Sequence, residues 1–277
     1  MAFKKMIHTA LNHQWTGEVD FWSFEQGAWR CNRAKAIFGL QSPLSIQNLQ
    51  VQKEGDVFEP IPLAKHSKPR QGLNTCGVNH LFMFHHYETI DEQNVQVSNS
   101  TIQVILPKKI LKPLLVGANF TEEHLVPQKW ILFPYDEDGK ILQQEALQAM
   151  PLLWQYLCHH QNQLKNRKGV MIQSAIQKGY WWSLLGVGPY TMSPFKIVWL
   201  AFGQHEFRPK IVHGDWMVNQ ALQAYIPLQT QEEAQSIWQS LQQPFIQSYL
   251  QSLKMSGTQN WAQPGKMKHF FSFFESQ

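Results

Sequence analysis

The sequence predicts a mixed α+β fold, with a curved antiparallel β-sheet, flanking helices and a C-terminal helix-break-helix. Three observations predict it. Residues 94 to 106, NVQVSNSTIQVIL, alternate with period two on both sides of Ser98-Asn99-Ser100, as a β-hairpin with one buried face does. Residues 145 to 168 place Leu153, Tyr156, Leu157, His160 and Leu164 at helical spacing, with Pro151 suited to the first turn of a fresh helix. Between Thr230 and Leu253, Ala234, Ile237, Trp238 and Leu241 form one helical stripe and Phe245, Ile246, Tyr249, Leu250 and Leu253 a second, broken at Gln242-Gln243-Pro244.

The other elements follow from local chemistry. Phe3, Met6, Ile7, Ala10 and Leu11 share one face of a short leading helix in residues 1 to 15. From Thr16 to Phe38, aromatic and polar residues alternate around Glu25-Gln26-Gly27, which predicts two strands and a turn. Ser42-Pro43 marks a loop, and Leu44 to Leu49 is expected to open a helix. Pro60 to Tyr87 reads as a basic, glycine-containing loop feeding a strand at Leu81 to Phe84. Strands are expected at Leu111 to Val116 and Trp130 to Pro134, followed by the polar turn Asp136-Glu137-Asp138-Gly139-Lys140, in which glycine takes the positive-φ position. A β-rich run covers Ile197 to Phe202. Thr230 and Glu233 have capping-box spacing, and Pro244 can start the second helix of the late pair. The apolar tail after Lys268 is expected to dock as a strand or turn. Residues 1 to 55 are thus a helix-and-hairpin extension, and residues 56 to 277 the main domain.

Composition excludes several classes. The 277 residues are 43% hydrophobic and 16% charged, enough apolar material for a substantial core and no signature of disorder. Cys31, Cys76 and Cys158 are odd in number and widely spaced, which predicts neither a disulfide framework nor a zinc site and suits a reducing cytoplasm. No run approaches the roughly 18 apolar residues of a membrane span, and no export signal is expected at the N-terminus. A net charge of +4 is compatible with a nucleic-acid surface without requiring one. The acids of the 136 to 140 turn lack further carboxylates to complete a metal shell. Gly186-Val187-Gly188 cannot be a dinucleotide fingerprint, because Pro189 and Pro194 bar the helix such a motif must open. No cofactor and no metal are expected.

Candidate binding residues fall into three groups. Asn74, Thr75, Asn79 and His80 are donor-rich side chains in a glycine-flanked turn, able to approach a base edge or simply to build the turn. Lys65, Lys68, Arg70, Arg167, Lys168, Lys196, Lys266 and Lys268 are candidate phosphate contacts, although Arg167 and Lys168 also suit a helix C-terminus. Trp181 and Trp182 either prop a displaced base or pack as an aromatic pair in the core. His85-His86, His159-His160 and His205-Glu206 are the clusters nearest to catalytic ones, and none has the i, i+4 spacing of a metal pair.

Several motifs occur in the order of a known family. RQGLNTCGVNHLFMF (70 to 84), KKILKPLLVGANF (108 to 120), WILFPYD (130 to 136), LLWQYLCHHQNQLKNRKG (152 to 169), YWWSL, SPFKIVW and the late EEAQSIWQSLQQPFIQSYLQSL resemble the target-recognition domain of Taq-type adenine-N6 DNA methyltransferases and their fused type II restriction-modification relatives. The resemblance runs from about Pro60 to the C-terminus. Val116 stands where many relatives carry arginine, and Cys76 where the position is often small and glycine-like or polar. The Asn/Asp-Pro-Pro-aromatic motif that holds a flipped adenine is missing, since the sequence contains no Pro-Pro pair. What the resemblance implies is a sequence-specific double-stranded DNA recognition module, or specificity subunit, of a bacterial restriction-modification or phage-defence system. It would be non-catalytic and would work with a separate methyltransferase catalytic subunit or domain. The competing classes are a protein-interaction scaffold with glutamine-rich and aromatic surfaces, and a nuclease.

Overall fold

A computed structural model describes residues 18–25, 28–37, 45–48, 58–120, 125–201, 206–220, 223–252 and 262–275. The expected leading helix lies outside these residues. The expected N-terminal hairpin is present as β1 (Glu18–Glu25) and β2 (Ala28–Ile37), which pair antiparallel. Leu44 to Leu49 does not open a helix: β3 (Ser45–Asn48) adds to β2, with Ile37 opposite Ser45. A four-residue segment gains more from an adjacent strand edge than from an isolated helical turn, whose nucleation is unfavourable.

The main body is α+β, as its sequence pattern requires, with antiparallel pairing dominant. Its strands belong to several small sheets rather than one curved sheet. β4 (Ile61–Ala64) leads into β5 (Arg70–Gln71), and a short helix α1 (Asn79–Phe82) precedes β6 (Met83–Phe84). The expected strand at Leu81 to Phe84 is therefore half helical turn and half strand. β7 (His86–Thr89), β8 (Asn94–Ser98) and β9 (Gln103–Pro107) form an antiparallel meander containing the expected hairpin. Val95 and Val97 are buried while Asn94, Gln96 and Ser98 are half-buried, so the period-two alternation maps onto its two faces. Asn99 closes the hairpin by accepting from the Ile102 amide at 3.0 Å and donating to the carbonyls of His80 and Met83 at 2.8 and 2.9 Å.

β10 (Leu111–Leu115) pairs antiparallel with β11 (Trp130–Leu132), which pairs with β6. The turn after β11 is as expected, with Gly139 at φ +70° and Asp136 Oδ1 accepting from the Lys140 amide at 2.8 Å. Helices α2 (Gln144–Gln148), α3 (Pro151–His159), α4 (Gln161–Lys165) and α5 (Val170–Gln177) follow, and Pro151 does open α3. They cover a core in which Leu81, Phe82, Phe84, Val95, Val97, Leu153, Trp181 and Trp182 meet.

β12 (Phe195–Leu200) is flanked antiparallel by β13 (Lys210–His213) on one side and β15 (Gln223–Leu228) on the other, while β14 (Met217–Val218), between β13 and β15 in sequence, joins the sheet of β10. Ile197 and Trp199 face a second core, while Val198 and Tyr225 face a third, smaller one. Burial on both faces explains the nearly unbroken apolar runs of β12 and β15. Pro227 is tolerated in β15 because β5 pairs only with Ala224 and Tyr225, leaving no ladder bond for Pro227 to lose on that edge.

The late helix pair is α6 (Gln231–Ser240) and α7 (Pro244–Ser252). Thr230 Oγ1 accepts from the Glu233 amide at 3.2 Å, and Glu233 reaches back to the Gln229 amide at 3.1 Å, one residue earlier than a reciprocal capping box. After α8 (Pro264–Met267), the tail docks as β16 (Phe271–Phe274), parallel to β4. β10 and β14 also pair parallel. Neither pairing was legible locally, because each joins segments far apart in sequence.

Candidate nucleic-acid interface

The glycine-flanked turn after Arg70 is held on both sides by backbone pairing. Gly72 lies so close to β14 that a Cβ there would stand 2.4 Å from the Val218 carbonyl oxygen, so only glycine fits. The Leu73 amide donates to Val218 at 2.8 Å, and the Gln220 amide donates to Leu73 at 3.0 Å. Asn74 exchanges two 2.9 Å backbone bonds with Leu185. Beyond that point the chain turns sharply. Asn74 Oδ1 accepts from the Cys76 amide at 2.7 Å, and Cys76 and Gly77 take φ values of +58° and +91°.

This turn and the end of β14 enclose a cleft of about 330 Å³, whose polar lining is Gln71, Asn74, Thr75, Asn79, Asn219 and Gln220. The structure therefore brings Asn74, Thr75 and Asn79 together, as their grouping in sequence suggested. Thr75 is buried, with its hydroxyl against Asn79 Oδ1. His80 lies outside the lining, exposed, with Nε2 3.3 Å from Gln163 Oε1. Gln71 donates through Nε2 to the Gln220 carbonyl at 3.2 Å. Carboxamides that carry both donor and acceptor match the mixed donor and acceptor edge of a base. Asn219 and Gln220 were missed in sequence, because the run DWMVNQALQAY carries no loop punctuation around them.

None of the candidate cations lines this cleft. Arg167 is a correction: it is 2% exposed, and its guanidinium donates to the carbonyls of Leu164 (2.9 Å), Thr75 (3.3 Å), Ser183 (2.7 Å) and Trp181 (2.7 Å). With those donors spent inside the protein it has no face to offer a phosphate. Lys196 is a second correction, being 1% exposed and donating to the Ser193 carbonyl at 2.7 Å. Burial pushes its ammonium down from 10.5 to about 8, against the opposing pull of Asp215 and with a small push from Lys112. Trp181 and Trp182 are core residues, edge to face with centroids 5.2 Å apart, and Trp182 Nε1 donates to the Leu142 carbonyl at 3.1 Å.

The remaining cations are peripheral. Lys65 pairs with Glu275, and Lys68 lies 5.4 Å from the Phe273 ring, so both sit at the C-terminal end of the β4 and β16 pair. Arg70 stacks over Tyr190 at 4.3 Å. Lys266 is half-buried, and burial lowers its pKa. Lys168 and Lys268 are exposed. Among the described residues no group of three or more His, Cys, Asp or Glu side chains is placed to hold a metal ion.

No protein-family profile matches the chain, and no curated protein matches it. Among solved structures it is similar to the Type IIL restriction-modification enzyme MmeI in complex with DNA, at 12% identity and a TM-score of 0.45 over 88% of this chain. The matched part is 30% of that chain's length.

Two substitutions test the local physics. Cys76 is the one non-glycine residue at positive φ among the described residues, a conformation costing an L-residue about 1–2 kcal/mol. After allowance for glycine's larger unfolded-state entropy, Cys76→Gly is expected to raise stability in urea melts by about 0.5–1 kcal/mol. A loss would mean that the thiol's packing outweighs the strain. For Lys196, the folded state releases a proton that the unfolded chain keeps between about 8 and 10.5, so stability contributed by this group rises with pH through that window. Lys196→Met should therefore be more stable than the parent near neutral pH by up to about 3 kcal/mol, an advantage that shrinks above about pH 8. An advantage independent of pH would contradict this assignment.

Proposed function

We propose that this chain is a sequence-specific double-stranded DNA recognition module of a restriction-modification or phage-defence system, with methyl transfer or cleavage performed by a separate catalytic subunit or domain. The observation that carries the reading is the carboxamide-lined cleft. Its Asn74, Thr75 and Asn79 come from a turn fixed on both sides by backbone pairing, so side chains that suit base edges are held by a rigid frame. The family resemblance of the segments from Pro60 onward supports the same reading. Exposed Lys168 and Lys268, with Lys65 and Lys68, supply phosphate contacts outside the cleft.

A protein-interaction scaffold is the second reading. Val170 and Met171, adjacent at the start of α5, are 89% and 68% exposed, an apolar pair that a partner chain would cover. It overlaps the first reading, because a recognition subunit must also dock its catalytic mate.

Duplex binding at several salt concentrations, after selection from a random-sequence pool, separates the two. DNA recognition predicts a selected consensus and an affinity falling linearly on a log-log salt plot. Asn74→Ala and Asn79→Ala should each cost about 1–3 kcal/mol on the consensus and far less on unrelated duplex. Absent or salt-insensitive DNA binding, together with tight capture of a protein partner, would favour the scaffold.

A further inference from the structure

His159 and His160 are in ring contact at the α3 to α4 junction, and His80 of α1, next to the cleft residue Asn79, lies near enough to act on His160; the proposed function makes no use of them as a group. His80 is exposed on α1, next to the cleft residue Asn79 and against Gln163 of α4. His159 ends α3, and its ring meets that of His160 edge to face with centroids 4.8 Å apart. His160, between α3 and α4, lies edge-on to Tyr156 at 4.8 Å.

The charges that act on His160 are cationic. Burial holds the pKa of His160 below the ordinary histidine range, and the charges adding to that effect are those of His159 and His80, both of its own sign. Tyr156 of α3 is neutral and donates to the Leu81 carbonyl at 2.8 Å. Gln163 of α4 is neutral, and Asn99 of the β8 to β9 turn contributes an amide that donates to the His80 carbonyl. Lys165, further along α4, is drawn aside over the Trp181 ring at 5.9 Å. Among the described residues no carboxylate figures in the electrostatics of His160. With no carboxylate acting on His160 and no placement for a metal among the described residues, imidazoles grouped in this way suit an anion.

We infer that His80, His159 and His160 form a proton-dependent seat for a phosphodiester of the duplex whose bases the adjacent cleft reads. The inference rests on the DNA-recognition reading. A duplex carries a backbone charge about every 1.7 Å along its axis, so a phosphate lies close to any base that is contacted. An anion seated there favours the imidazolium forms, so complex formation takes up protons and affinity rises as pH falls through the histidine range.

The test titrates the full chain into a labelled pool of random-sequence duplexes at one fixed salt concentration, at about pH 8 and about pH 5.5, with circular dichroism confirming one fold at both. Wild type is expected to bind at least about tenfold tighter at the acid pH. In His159→Gln/His160→Gln the ratio of the two affinities should fall to less than half the wild-type ratio, the remainder coming from His80, and His159→Lys, with its permanent charge, should bind tighter than wild type at the alkaline pH. Should the double variant fail to fold, His159→Gln alone serves, because that ring is exposed. An equal acid gain in wild type and variants overturns the inference. So does wild-type binding with no acid gain, which leaves DNA recognition standing, whereas no binding at either pH removes both.

Discussion

The buried guanidinium of Arg167 is the contact on which the rest of the candidate interface depends. Its Nε caps the last turn of α4 at Leu164, and its other donors tie Thr75 of the cleft turn to Trp181 and Ser183 of the aromatic core segment. Four carbonyls that would otherwise be buried without donors are satisfied by one planar fork. Leaving each unpaired costs about 1–3 kcal/mol. Lysine, with its single charged centre and three donors, cannot reproduce this geometry. Among the described residues no carboxylate pairs with Arg167, so its charge is met by carbonyl dipoles and acts on Cys76 and Tyr135 nearby.

From this clamp the cleft follows. Arg167 fixes one side of the turn through Thr75, Gly72 fixes the other by its close approach to Val218, and Asn74 is paired to Leu185 between them. The carboxamides therefore project from backbone whose position is determined by long-range contacts rather than by the turn alone. That arrangement separates two tasks. Neutral groups line the cleft, where a charge would pay a desolvation penalty, and exposed lysines lie outside it, where hydration is retained.

Much of the architecture was legible because its signals are local. The 94 to 106 alternation, Gly139 in its turn, Pro151 at a helix start and the break at Pro244 each act within a few residues, and the structure has all four. The grouping of Asn74, Thr75 and Asn79 was legible for the same reason. What sequence could not supply was the direction of a long side chain. Arg167 and Lys196 look like surface cations in one dimension and are buried only because Trp181, Thr75 and Ser193 happen to surround them in three. Asn219 and Gln220 reach the cleft through a pairing with Leu73 nearly 150 positions earlier, a relation with no local mark. Leu44 to Leu49 follows the Ser42-Pro43 loop, where a helix could open, but the neighbouring β2 edge offers residues 45 to 48 a strand partner that no local signal marks.

The order of the candidate interface requires that Arg167 hold the cleft turn in place. Amide hydrogen exchange on Arg167→Lys measures this directly. The amides of Cys76 and Leu81 are expected to exchange at least about tenfold faster than in wild type, while those of Trp199 and Ile226 in the second core keep their protection. Unchanged protection across residues 74 to 81, or an equal loss in both regions, would contradict it.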